Sequence, residues 1–245
     1  MTEKRISFEE LSDDYCEFID SSCKYCFYTC SKEKQKSKIA ECENYLLLIK
    51  SLKQQAIQNN SEIHANEIFH MQCMVNSSRS FLLMWVLIKE GSFNKAWSSL
   101  VDAQEYLSVA LKIKDYDGAR RFEQRMEGAE DSIFPGWALY SSPGIVETIG
   151  KCSVCLRPFA LCEHIENQIY MGNLCRRVDR EIVRVDHFAL VENPRDRRCV
   201  ITKTTDDDGN EIDYYTLEKT GKKSKENGGK ELQAVVLTTQ ALDFS

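Results

Sequence analysis

Five metal-seeking side chains fall between residues 152 and 175. They are Cys152, Cys155, Cys162, His164 and Cys175, in the order Cys-x2-Cys-x6-Cys-x-His-x10-Cys. Thiolate sulfur and imidazole nitrogen are the ligands zinc prefers, and a Cys-x2-Cys turn delivers two of them from one tight loop. A stretch built this way folds around a metal, which a few loops cannot replace with an apolar core. Cys152 and Cys155 form the anchoring pair. Cys162, His164 and Cys175 compete for the two remaining places, and their spacing does not choose between them. Four or five candidates argue for one closed, structural Zn2+, because a catalytic zinc keeps three protein ligands and an open position. Cys199, further on, reads as core on a strand.

Eleven cysteines in one chain raise the alternative of a secreted disulfide framework. The first ten residues, MTEKRISFEE, carry no apolar stretch and no cleavage pattern of a secretory signal. The expectation is therefore a cytoplasmic protein, in which clustered cysteines bind metal rather than oxidise. The longest apolar run, Phe81-Leu-Leu-Met-Trp-Val-Leu-Ile88, falls far short of the ~20 residues that cross a bilayer, so no membrane span is expected. Apolar residues at 42% and charged residues at 29% suit an ordinary globular protein. A net charge of -6 gives no global pull toward nucleic acid. Locally, residues 151–203 carry 10 Lys+Arg against 7 Asp+Glu, whereas residues 204–245 carry 5 against 9. The mildly basic part of the chain is therefore the cysteine module.

The expected fold class is α+β, with an N-terminal helical bundle over residues 1–134, a linker at 135–150 and a zinc-stapled β-rich module at 151–245. Ser7 with Glu10 forms a capping box that opens the first helix. Further helices are expected at 34–58, 61–90, 93–114 and 116–133, divided by Asn59-Asn60-Ser61 and Gly91-Ser92. No proline occurs in residues 1–134, which permits long helices. Pro135-Gly136 and Ser142-Pro143-Gly144 punctuate the linker, and the apolar Trp137-Ala-Leu-Tyr140 docks on one domain. Residues 181–191 alternate as one or two strands. Residues 198–203 and 212–217 flank Asp206-Asp-Asp-Gly-Asn210 as a hairpin. Residues 222–230 read as a polar loop and 232–237 as a last strand.

Several patterns in the helical half have plain readings. Cys16, Cys23, Cys26 and Cys30 follow heptad spacing, and thiols along one straight helix cannot converge on one ion, so they are expected in the core. Gly91, Phe93, Ala96 and Ala103 follow half of a tetratricopeptide-type repeat. With no second copy, they predict a single helical hairpin. His64 and His70 lie on opposite sides of one helix. No nucleophile–base pair is visible in this half. In the C-terminal half Arg176, Arg177, Arg180, Arg184, Arg195, Arg197 and Arg198 could touch phosphates. Asp179, Glu181, Asp186 and Asp196 interleave with them, which favours an internally paired, solvated face.

The motif Cys-x2-Cys-x6-Cys-x-His-x5-Tyr-x-Gly-x2-Cys, about a tenth of the chain, resembles small Cys/His zinc modules of bacterial and phage-related proteins. That resemblance implies a non-enzymatic interaction or adaptor subunit with a protein partner, within a bacterial multi-protein assembly of the antiviral, phage-defence kind. A second resemblance competes. Cys-x2-Cys, then Glu163-His164-Ile165, then Gly172-Asn173-Leu174-Cys175 is similar to the front half of an HNH-type nuclease with a zinc knuckle. It implies that His164 activates water, that Asn173 orients the motif and that a later histidine completes a divalent-metal site. Here Cys175 is followed by Arg-Arg-Val instead of a second Cys-x2-Cys, and the only later histidine is His187, in a strand pattern. A third reading is a regulator that binds DNA through the Arg176 to Arg198 face.

Overall fold

The computed structural model describes residues 8–224, 230–237 and 242–244. Ser7 of the expected capping box and residues 225–229 of the expected 222–230 loop lie outside the described residues, and the last strand expected at 232–237 is shorter, Leu232–Ala234. The fold class is α+β: five helices come first, then short antiparallel sheets. The helices are α1 (Phe8–Cys23), α2 (Lys32–Gln58), α3 (Glu62–Lys89), α4 (Phe93–Ile113) and α5 (Asp117–Ile133). None of the described helices is long and apolar enough to cross a membrane. The chain divides into two compact units. One comprises residues 1–126, 169–174 and 244–245; the other comprises 127–168 and 175–243.

In the helical unit α3 is the central element, since 18 of its 28 residues are buried. Helices α2 and α4 pack along it, as the hairpin expected at Gly91 requires. Phe69, Phe81, Leu82 and Met84 of α3 and Trp97, Leu100 and Leu107 of α4 are fully buried. Each such side chain contributes roughly 1.5–3 kcal/mol by leaving water. Both helix breaks end in a left-handed residue, Asn60 (φ 51°) and Gly91 (φ 69°). Ser61 N–H then donates to Ala56 O at 3.0 Å and Ser92 N–H to Leu87 O at 2.9 Å, which satisfies carbonyls at the helix ends. The serines that follow make no side-chain cap, however; Ser61 Oγ sits 3.0 Å from His64 Nδ1 instead.

The cysteine stripe of α1 differs from expectation. The helix stops at Cys23, and its buried face is Leu11, Tyr15, Ile19 and Ser22. Cys16 lies one residue off that face and is exposed, Cys26 is buried in the following turn, and Cys23 and Cys30 are half-buried. The C-terminal Phe244 is also part of this unit. Its ring packs on Phe69 and Tyr106, with centroids 6.2 and 5.2 Å apart. Its carbonyl accepts from the wholly buried Lys53 Nζ at 3.2 Å.

The other unit is sheet-rich. Strand β1 (Tyr140–Glu147) pairs antiparallel with β6 (Ile182–Val191), with register shifts at Gly144/Ile145 and Val146/Glu147. Residues 135–150 therefore hold a strand rather than a bare linker. Pro143 and Gly144 sit inside it, in a two-stranded ribbon that tolerates a missing donor. Strands β2 (Lys151–Cys152) and β5 (Arg177–Val178) pair, as do β3 (Ile169–Tyr170) and β4 (Asn173–Leu174), the latter two within the helical unit's 169–174 segment. A four-stranded sheet has the order β10 (Leu232–Ala234), β7 (Ile201–Thr205), β8 (Asn210–Asp213), β9 (Lys219–Lys223). The β7–β8 turn is the expected one. Asp206 accepts from the backbone of Asp208 and Asn210, and Gly209 takes φ 76°. Trp137 docks on this sheet by donating to Ile201 O at 3.0 Å. Among the described residues only eight apolar side chains of this unit are buried, three of them cysteines. That core is thin for its length.

Candidate metal centre

The cysteine loop is held at its base by β2 and β5, where Cys152 pairs with Arg177. Gly150 precedes it at φ 73°, and a Cβ there would lie 2.3 Å from Val178 O. Only glycine lets β2 approach β5 this closely. After Cys152 the backbone reverses tightly. Leu156 takes φ 57°, and its N–H donates to Cys152 O at 2.9 Å. Val154 N–H points at Cys152 Sγ, 3.4 Å away. Pro158 then leads into a single 3-10 turn, Phe159–Leu161, which hands the chain to Cys162 and His164.

This path brings Cys152, Cys155, Cys162 and His164 together, with one ligand atom from each within 4.8 Å of the other three. Cys152 Sγ is 3.7 Å from His164 Nδ1. A tetrahedron with metal–sulfur bonds of 2.3 Å has edges of about 3.8 Å, so the groups stand where a common ion would draw them. Three thiols and an imidazole can hold a metal ion. Cys175, the fifth candidate, is wholly buried with Sγ 3.7 Å from Cys152 Sγ, but it is not one of the four mutually close groups. Its backbone is fixed by paired hydrogen bonds: Cys175 N–H to Gln168 O and Asn167 N–H to Cys175 O, both 2.8 Å.

The thiols differ in acidity. Burial works to raise Cys152, but the backbone amides of Cys155 and Val154 and the neighbouring thiols outweigh it, and its pKa falls to about 7. Burial raises Cys162, and the neighbouring Cys152 and Cys155 add to this. Burial and then Cys152 push Cys175 up to about 12. Cys152 is thus the most acidic of these three thiols.

The remaining candidates fall elsewhere. His187 is on β6, paired with Gly144, and its ring occupies the space a Cβ on residue 144 would need. It is not in the cluster. Asn173 follows the β3–β4 turn and donates to Met171 O at 2.9 Å. Each of the seven arginines has an acceptor. Arg177 reaches Glu166, Arg180 and Arg195 reach Glu147, Arg184 reaches Asp186, Arg197 reaches Glu130 and Arg198 reaches Asp196. Arg176 donates to Leu242 O. The carboxylates that interleave with them in sequence supply only part of this pairing.

Sequence reasoning missed the β3–β4 hairpin. Its two-residue loop is Met171-Gly172, both at positive φ (47° and 69°), the geometry that suits a tight hairpin. Gly172 was the available signal, but its neighbour Met171 lacks the Asn or Asp that usually advertises such a turn. Gly172 N–H donates to Asn66 Oδ1 on α3 at 2.7 Å, and a Cβ would strike Ala65 O at 2.7 Å. Against this geometry, comparison of the chain with protein-family models, curated proteins and solved structures returns no match.

Proposed function

We propose that Cys152, Cys155, Cys162 and His164 form a closed structural zinc site, and that the protein is a non-enzymatic interaction subunit whose C-terminal unit is stapled by that metal. The observation that carries this reading is the convergence of four soft or borderline ligand atoms within 4.8 Å. Thiolate-rich sets favour zinc over magnesium or calcium, which take oxygen ligands. Four protein ligands leave no position for substrate water, so the site serves folding rather than hydrolysis. The thin apolar core of the sheet-rich unit gives the metal a physical role, since binding energy there becomes folding energy.

The test is metal content by mass spectrometry on the purified chain, beside a Cys152→Ser/Cys155→Ser variant. One zinc per chain, lost in the variant together with the tertiary signal of Trp137, supports the staple. No zinc, or metal retained by the variant, overturns it. Incubation with DNA and magnesium or manganese separates the interaction reading from a nuclease. The expected result is no cutting, and cutting abolished by His164→Ala would replace this proposal with the nuclease one.

A further inference from the structure

The β1–β6 ribbon is a two-stranded sheet exposed along nearly all of β6, where Ile182, Val183, Val185, Phe188 and Leu190 are each about half exposed or more. Two strands alone are marginal in water, and large apolar groups on them seek cover. The outer edge of β1 is partly taken, because Tyr140 bridges to Val200 and Ser141 N–H donates to Cys199 O. The outer edge of β6 pairs with no other described strand. It runs for ten residues without a lysine or a proline, two of the devices that normally blunt an edge. At the register shifts opposite Gly144–Ile145 and Val146–Glu147 the extra residues are Asp186 and Val183 of β6 itself. They bend the strand, and these bulges, with the charges of Arg184 and Asp186, are the features that restrict which partner this edge accepts.

The sequence of β6 says what fits there. Ile182-Val-Arg-Val-Asp-His-Phe188, laid antiparallel on itself about Val185, sets Arg184 opposite Asp186 twice over. The same register sets Ile182 opposite Phe188 and Val183 opposite His187. Arg184 Nε already lies 2.9 Å from Asp186 Oδ1 within one chain, so both side chains reach one face, and the pairing would join four charges into an alternating square. Registers centred on Arg184 or on Asp186 bring like charges face to face.

We propose that β6 is a homodimer interface: a second copy of this chain adds edge to edge about a two-fold axis at Val185, giving a four-stranded sheet in the order β1-β6-β6-β1. A strand paired with itself in this way is closed and uses the same patch on both copies.

The experiment is sedimentation velocity on the full, metal-loaded chain over a concentration series. The wild type dimerises. Arg184→Asp and Asp186→Arg each weaken self-association, by on the order of ten-fold or more, because each creates two like-charge pairs. The double variant Arg184→Asp/Asp186→Arg restores the wild-type constant, and an equimolar mixture of the single variants forms a heterodimer. Both positions are exposed on the ribbon, so circular dichroism should match the wild type throughout. A wild type that stays monomeric up to its solubility limit overturns the proposal. So does a dimer indifferent to either reversal, or one that the double variant fails to restore.

Discussion

Acidification should destabilise the helical unit through His70. This histidine is buried on α3, between the rings of Tyr15 and Tyr116 at 6.4 and 5.9 Å, and its Nε2 has no hydrogen-bond partner among the described residues. Burial first, and the Lys114 cation second, lower its pKa from 6.5 to about 4. Above pH 6.5 the ring is neutral in both folded and unfolded chains, and the full stability is present. Below 6.5 the unfolded chain takes up a proton that the folded one refuses, so stability falls by about 1.4 kcal/mol per pH unit until the folded pKa is reached. The accumulated loss near pH 4 is about 3 kcal/mol, a large part of the ~5–15 kcal/mol that a domain commonly has. The assay is urea denaturation followed by helical circular dichroism at pH 7.5, 6.5, 5.5 and 4.5, for the wild type and His70→Gln. Carboxylates and metal ligands titrate alike in both proteins, so the difference between the two curves isolates this ring. The gap between them should change by about 2.5 kcal/mol over the series in the variant's favour. Parallel curves, or an NMR titration placing His70 near 6.5, would refute the reasoning.

Three further outcomes test other parts of the structure. Cys162→Ser should lower zinc affinity by more than the roughly 10–100-fold that an outer-shell change costs, whereas Cys175→Ser should keep one zinc per chain within that range. Competition with a chromophoric chelator reads both, and the reverse ranking would move Cys175 into the ligand set. Gly150→Ala forces a left-handed φ and a 2.3 Å contact with Val178 O. It should cost at least ~1–3 kcal/mol, read as a lower melting temperature of the zinc-loaded protein. Phe244→Ala removes a ring packed on Phe69 and Tyr106 and should destabilise the helical unit by about 3–5 kcal/mol in urea. An unchanged midpoint would show that the chain end does not hold that core.

The helices were legible because their punctuation is chemical. Asn60 and Gly91 are residues that accept a left-handed conformation, and the structure uses both at positive φ, so the boundaries of α2, α3 and α4 fall within about two residues of those expected, in line with the usual fraying of helix ends. The Cys16 to Cys30 spacing misled for the opposite reason. A heptad pattern presumes a helix that continues, and α1 ends at Cys23, after which periodicity carries no facing. Strand β1 was hidden by its own turn residues. Pro143 needs no donor in a two-stranded ribbon, and Gly144 is required by the His187 ring opposite it, yet both residues ordinarily advertise a loop.

The candidate metal centre shows the same limit from another side. Spacing along the chain placed Cys152 and Cys155 on one turn, since two intervening residues leave little freedom. It could not rank Cys162, His164 and Cys175, because the rank depends on where the 3-10 turn at Phe159–Leu161 and the Gln168–Cys175 backbone pair send the chain. The first delivers Cys162 and His164 to the knuckle. The second holds Cys175 Sγ 3.7 Å from Cys152 Sγ. A thiol kept protonated by burial beside a thiolate-prone one can donate a hydrogen bond to it, and such support orients a ligand without occupying the metal. Cys175→Ala should therefore weaken zinc binding and Cys175→Ser should restore much of it, since the serine hydroxyl still donates. Equal affinity in the two variants would leave Cys175 as packing, and loss of the ion from both would make it a ligand.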